Sequence, residues 1–320
     1  MISLVQLLKE AVDDPKAIIL AGGAGAGKSY TIKNLLGDLD EKTGVFTPKG
    51  SSTKFKYMNP DVYVEKEDMS LGQAMGKFRD IFQSTQDEKE NIIWDTTGAN
   101  VKNTLSQLPD YDKFMVMVYT HPIISILQNA KRDRKLPLDA VIKTWNSVYG
   151  NIADYKKSLG DKFVLVQNIV PGYEKEVEAF NKAVQGGKDS LEKYLADLVA
   201  KDGDKFKSTF AKEFKFSSNE IEQAFNTTLP QTSYTKTDDA ILKNVKKEFE
   251  KEYNKKGENP GAQVLDRKLQ SARKTKERNI KNRDENLKGV VDKLTSPEFK
   301  NIIEPTSSDE VKSKFQNFIK

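Results

Sequence analysis

Residues 1–170 read as a doubly wound α/β domain with a mainly parallel five-stranded sheet. Three observations predict it. Short apolar runs alternate with helix-compatible segments. The runs are rich in branched and aromatic residues and mostly lack polar alternation, as strands buried on both faces do. A glycine-rich turn also joins the first run directly to an amphipathic helix.

In chain order the strands are Ala17–Ala21, Phe55–Met58, Asn91–Trp94, Phe114–Tyr119 and Phe163–Val166, with helices near 28–37, 70–86, 99–108, 122–135 and 137–158. After Pro171–Gly172 the grammar changes. Lys/Glu-rich amphipathic segments near 173–200, 204–226, 237–256 and 262–294 predict a helical region over 171–320. Ser217–Glu220 has capping-box spacing, while 254–262 and 304–309 read as turns. No internal repeat is present.

Gly22-Gly23-Ala24-Gly25-Ala26-Gly27-Lys28-Ser29 matches G-x-x-x-x-G-K-S. It follows an apolar strand and opens a helix bearing Ile32, Leu35 and Leu36 on one face, which is the setting of a P-loop NTPase fold. Glycines let successive N–H groups converge on phosphate oxygens, and the helix N-terminus adds its dipole. Lys28 is expected on the β/γ-phosphates and Ser29 on Mg²⁺, with Tyr30 completing the nucleotide-binding stretch.

Acidic and basic residues at the strand ends suggest the chemistry. Asp95 ends the third run, where a Walker-B carboxylate meets magnesium. Asp61, after Asn59-Pro60, lies at the carboxyl edge of the sheet and is the candidate base for an attacking hydroxyl. Lys131-Arg132-Asp133-Arg134-Lys135 suggests a lid in which Arg132 and Arg134 neutralise phosphoryl charge. Asp95-Thr96-Thr97-Gly98 also fits the D-x-x-G of GTP-binding switches. The matching base-specificity motif, Thr235-Lys236-Thr237-Asp238, has no strand before it, which disfavours that reading. A motor-type ATPase or a non-catalytic nucleotide-binding scaffold uses the same loop and stands as the alternative.

The composition narrows the remaining classes. The chain has 320 residues, 37% hydrophobic and 31% charged, with no cysteine and one histidine, His121. Disulfides, thiolate metal sites and multi-histidine metal sites are excluded. Apolar runs are too short to cross a membrane, and Glu10, Asp13 and Asp14 interrupt the only signal-like stretch, so a cytoplasmic protein is expected. The net charge of +5 divides into 22 Lys/Arg against 21 Asp/Glu in residues 1–170 and 30 against 26 in the remainder. That balance permits a nucleic-acid partner without demanding one. Residues 266–288 hold nine basic and four acidic residues but no aromatic to stack on bases.

Four blocks in order resemble P-loop kinases of the zeta-toxin and polynucleotide-kinase type: GGAGAGKS at 22–29, NPDVYVEK at 59–66, IIWDTTGAN at 92–100 and NAKRDRKLPLDAV at 129–141. Asn59-Pro60-Asp61 with Tyr63 resembles the zeta-toxin block that carries the catalytic aspartate. Asp95-Thr96-Thr97 is closer to the polynucleotide-kinase version, and Arg132 to Pro137 resembles the lid of the superfamily. The resemblance implies ATP or GTP as donor, Mg²⁺, and a hydroxyl acceptor on a nucleotide, nucleotide sugar or nucleic acid. The lysine- and asparagine-rich style suggests a bacterium or bacteriophage. Residues 171–320 match none of these families.

Overall fold

The computed structural model describes residues 14–40, 42–66, 71–132, 135–201, 278 and 281–320. Arg134, the segments 204–226, 237–256 and 254–262, the motif at 235–238 and most of the basic run 266–288 lie outside them.

The five expected strands are present, and two more join them. The strands are β1 (Lys16–Ala21), β2 (Gly37–Asp40), β3 (Val45–Pro48), β4 (Phe55–Met58), β5 (Ile92–Thr96), β6 (Asp112–Tyr119) and β7 (Phe163–Gln167). They form one sheet in the order β2-β3-β4-β5-β1-β6-β7. β4, β5, β1, β6 and β7 run parallel, whereas β2 and β3 pair antiparallel and extend the β4 edge. The expected five-stranded sheet is therefore the parallel part of a seven-stranded one. The added hairpin turns over residues 42–44, where the Asp40 carboxylate accepts the Lys42 N–H at 2.9 Å and the Thr43 hydroxyl at 2.8 Å.

Both faces of the central strands are buried, with period two. Ile19, Trp94, Met115, Met117, Tyr119 and Leu165 point into one core, and Ile18, Leu20, Ile93, Val116, Val118 and Val164 into the other. The first core is roofed by α3 (Leu71–Asp87), α5 (Pro122–Lys131), α6 (Leu138–Tyr149), α7 (Ile152–Leu159), α8 (Glu174–Gln185) and α9 (Lys188–Lys201). The helix α10 (281–295) and α11 (Pro297–Ile302) also contribute, through Leu287, Val290 and Phe299.

The second core is covered differently. After the glycine loop, α1 consists of one short α-turn (Lys28–Thr31) and a π-turn (Ile32–Leu36), and β2 follows at once. Gly37 makes that possible: a Cβ there would lie 2.2 Å from the Thr47 carbonyl oxygen. So short an α1 covers only part of the face. The rest lies under α12 (Ser308–Ile319), whose Phe315 and Phe318 pack on Phe114 at ring separations of 5.7 and 5.2 Å. Thr306, just before α12, donates its N–H to the Leu165 carbonyl at 2.8 Å and accepts the Leu165 N–H on its hydroxyl at 3.1 Å. That contact occupies the outer edge of β7, which would otherwise offer unpaired backbone groups.

Two expected helices are each broken once by glycine. The segment 137–158 divides at Gly150, and 173–200 divides at Gly186–Gly187, where Gly187 adopts φ +84. The remaining helices, α2 (Asp61–Lys66) and α4 (Val101–Ser106), follow β4 and β5. All five parallel strands therefore deliver their carboxyl ends, and the loops after them, to one edge of the sheet.

Candidate active site

The glycine loop spans the end of β1 and is held from behind. The Gly22 N–H donates to the Thr97 carbonyl at 3.3 Å, joining the loop to the end of β5. The Ala26 carbonyl accepts from Asn168 Nδ2 at 2.9 Å and from the Thr120 hydroxyl at 3.3 Å. Because a trans peptide sets C=O and the next N–H on opposite sides, fixing the Ala26 carbonyl backward turns the Gly27 N–H toward the open side. Gly27 itself adopts φ +83, and a Cβ there would lie 2.2 Å from Asn168 Nδ2. The cradle therefore requires glycine twice over, by conformation and by space. No side chain caps the first turn of α1, so its N–H groups are left for an anionic ligand.

Lys28 crosses the mouth of this loop. Its Nζ donates to the Gly22 carbonyl at 2.9 Å and lies 3.5 Å from Oδ1 of Asp95. Asp95 is buried within β5, at 8% exposure. Burial pushes its carboxyl pKa upward, while the Lys28 ammonium and the Tyr57 hydroxyl pull it back down. Tyr57, on β4, donates its hydroxyl to Oδ2 of Asp95 at 2.8 Å and accepts Nδ2 of Asn59 at 3.0 Å. Burial, then the Asp95 charge, raise the Tyr57 pKa, so this phenol stays a donor.

Asp61 opens α2 directly after Pro60. Its backbone N–H donates to Oδ1 of Asn59 at 2.9 Å, and its negative charge is felt at both Asp95 and Tyr57. α2 rests on α3 through Tyr63, whose ring lies 5.2 Å from Lys77 Nζ. Lys28, Asp61 and Asp95 thus come together at the ends of three adjacent strands, β1, β4 and β5. Ser29 is exposed beside Lys28, and Tyr30 is 66% exposed.

Among the described residues no group of three or more His, Asp or Glu could cage a metal. Magnesium does not need one. It keeps several waters and takes one or two protein oxygens beside substrate phosphates, which suits Ser29 and Asp95.

The basic segment after α5 is pinned rather than loose at its base. Buried Asn129 donates Nδ2 to the Leu136 carbonyl at 2.8 Å and accepts the Leu136 N–H on Oδ1 at 3.1 Å. This clasp closes a short loop that carries Arg132, which is partly exposed at the helix end. His121 serves elsewhere: its Nε2 meets Oδ1 of Asn181 at 3.0 Å, and its ring packs edge-on against Phe180 at 5.3 Å.

With the loop, its lysine and the strand-end aspartates in place, the first part of the chain can be set beside known families. The family model described as zeta toxin matches residues 5–145. Those residues are similar to the zeta-toxin family. The matched span includes the glycine loop, Asp61, Asp95 and Arg132, and it supports a P-loop fold of the phosphotransferase type. No curated protein matches the chain. Similar solved structures include the sulfotransferase domain from the Synechococcus PCC 7002 olefin synthase, at 16% identity over 56% of this chain and 73% of that one, TM-score 0.26. AvrRxo1-ORF1:AvrRxo1-ORF2 with sulphate ions is similar at 12% identity over 79% and 83%, TM-score 0.36. At such scores neither bears on function.

Three supports of the site lie outside every block read in the sequence: Tyr57, Thr120 and Asn168, while Asn129 opens the fourth block but has no role assigned there. Thr120 and Asn168 lie just past the ends of β6 and β7, so their position at the sheet edge was the one available signal.

Proposed function

We propose that this protein transfers the terminal phosphoryl group of ATP or GTP to a hydroxyl on a nucleotide, nucleotide sugar or nucleic acid. The observation that carries the reading is the meeting of Lys28, Asp95 and Asp61 at the ends of adjacent strands, beside a glycine loop that opens a helix turn with no side-chain cap. The loop and Lys28 hold the triphosphate and offset its charge. Ser29 and Asp95 would hold Mg²⁺, which supplies further charge neutralisation across the phosphates when bound. Asp61 orients the acceptor and takes its hydroxyl proton while the new O–P bond forms. The bond from the terminal phosphorus to the bridging oxygen breaks, and a nucleoside diphosphate leaves. Arg132 and Arg134 would neutralise charge on the transferring group.

The reading is tested by transfer from γ-labelled ATP and GTP to three acceptors: 5′-hydroxyl DNA or RNA, an amino-sugar nucleotide, and hydroxymethylated DNA. Labelled product is expected with one of them, and none with Lys28→Ala. Wild-type activity in Lys28→Ala would refute the site, and nucleotide binding without transfer to any acceptor would favour a scaffold.

A further inference from the structure

Tyr57 belongs to no motif, yet it lies at the centre of a hydrogen-bonded path between the two halves of the site. From the loop outward the path runs Lys28 Nζ to Asp95 Oδ1 (3.5 Å), Asp95 Oδ2 to the Tyr57 hydroxyl (2.8 Å), that hydroxyl to Asn59 Nδ2 (3.0 Å), and Asn59 Oδ1 to the Asp61 N–H (2.9 Å). Every direction along it is set by chemistry. The Asp95 carboxylate only accepts, so the single phenol proton is committed to it, and the phenol oxygen must then accept from Asn59. The Asp61 N–H only donates, so the Asn59 carbonyl must face it. The amide cannot flip without breaking both bonds.

The two oxygens of Asp95 are therefore not equivalent. Oδ2 is held by Tyr57, with Asn59 Nδ2 at a longer 3.5 Å, and Oδ1 faces Lys28 and the loop. When a triphosphate draws Lys28 away, Asp95 loses that partner but keeps Tyr57. A short hydrogen bond to a charged acceptor is among the stronger ones, enough to hold the carboxylate in place. We infer that Tyr57 is a positioning residue for phosphoryl transfer: it presents Oδ1 of Asp95 to the metal side and, through Asn59, sets the start of the Asp61 helix against that carboxylate. The inference rests on the kinase reading above and adds to it a link between the donor and acceptor sides.

Tyr57→Phe removes one oxygen and keeps the ring. The test measures binding of a fluorescent N-methylanthraniloyl-ATP with and without Mg²⁺, alongside thermal melting. Metal-free affinity depends on the loop and Lys28 and is expected to stay within about twofold, while the gain on adding Mg²⁺ falls about tenfold or more. Asn59→Ala is expected to keep most of the Mg²⁺ gain and lose transfer rate at saturating nucleotide. A full wild-type Mg²⁺ gain in Tyr57→Phe would overturn the inference. So would an equal loss of metal-free binding, which would mark a merely structural residue. If the wild type shows a Mg²⁺ gain that Tyr57→Phe loses, but no acceptor is phosphorylated, the link to Asp95 stands and the transfer reading fails. If the wild type shows no Mg²⁺ gain, both fall.

Discussion

At the scale of single residues, function turns on how each carboxylate and imidazole is housed. Asp61→Asn keeps the size of the side chain and removes the base. Nucleotide affinity is expected to hold while transfer falls by about two to four decades, the usual reach of general-base catalysis. Single-turnover rates beside equilibrium binding would check it, and equal loss of both would make Asp61 structural. His121 makes a pH prediction of a different kind. Burial lowers its pKa to about 4, against an ordinary 6.5, with the Asn181 contact opposing the shift only in part. The unfolded chain therefore binds the proton more readily between pH 6.5 and 4. Stability from this residue is complete above pH 6.5 and is lost as pH falls toward 4, by on the order of 3 kcal/mol. Urea unfolding at pH 7.5 and pH 5 should show a smaller difference for His121→Gln than for the wild type.

Among the elements, the loop and α1 have the most demanding geometry. Gly27→Ala would put a methyl 2.2 Å from Asn168 Nδ2 at a φ of +83, so either the loop or the Asn168 side chain must move. Because Asn168 also holds the Ala26 carbonyl, the cradle opens with it. Nucleotide affinity is expected to drop at least tenfold, read by calorimetric titration. The antiparallel hairpin β2–β3 was not legible in the sequence. Asp38 and Asp40 on β2 are charged, and Pro48 ends β3, so neither strand carries the apolar pattern of a buried one. In β2 such composition suits the edge of the sheet, where outward groups face water. Gly37 enables the tight exit from α1 only because Thr47 passes beside it, a contact that exists only after folding.

For the whole molecule, the residues beyond 280 complete both cores. Arg283 reaches Asp139 at 3.6 Å and Glu192 at 3.9 Å, and Asn146 donates to the Asn286 carbonyl at 2.6 Å, tying α10 to α6 and α9. On the other face Gln316 donates to the Lys49 carbonyl at 2.6 Å, beside the β2–β3 hairpin. Phe315→Ala removes a ring that is 2% exposed and is expected to cost about 3–5 kcal/mol, as other buried Phe truncations do. Chemical denaturation should show the midpoint falling with the slope unchanged. A cost below about 1 kcal/mol would mean that α12 is dispensable to this face.

Read by itself, the sequence determined the five parallel strands, the glycine loop, and the placing of Lys28, Asp61 and Asp95 at strand ends. These are local properties: a run of apolar residues, a spacing of glycines, an acid one step past a strand. It also carried the resemblance that the zeta-toxin match over residues 5–145 bears out. Tertiary structure alone decided what surrounds them. Tyr57 reaches Asp95 across 38 positions, Asn168 reaches Ala26 across 142, and Gln316 reaches Lys49 across 267. None of these pairs leaves a periodic or local trace. A hydrogen bond between distant segments depends on strand order and register, and the residues at its two ends show neither until the sheet has formed.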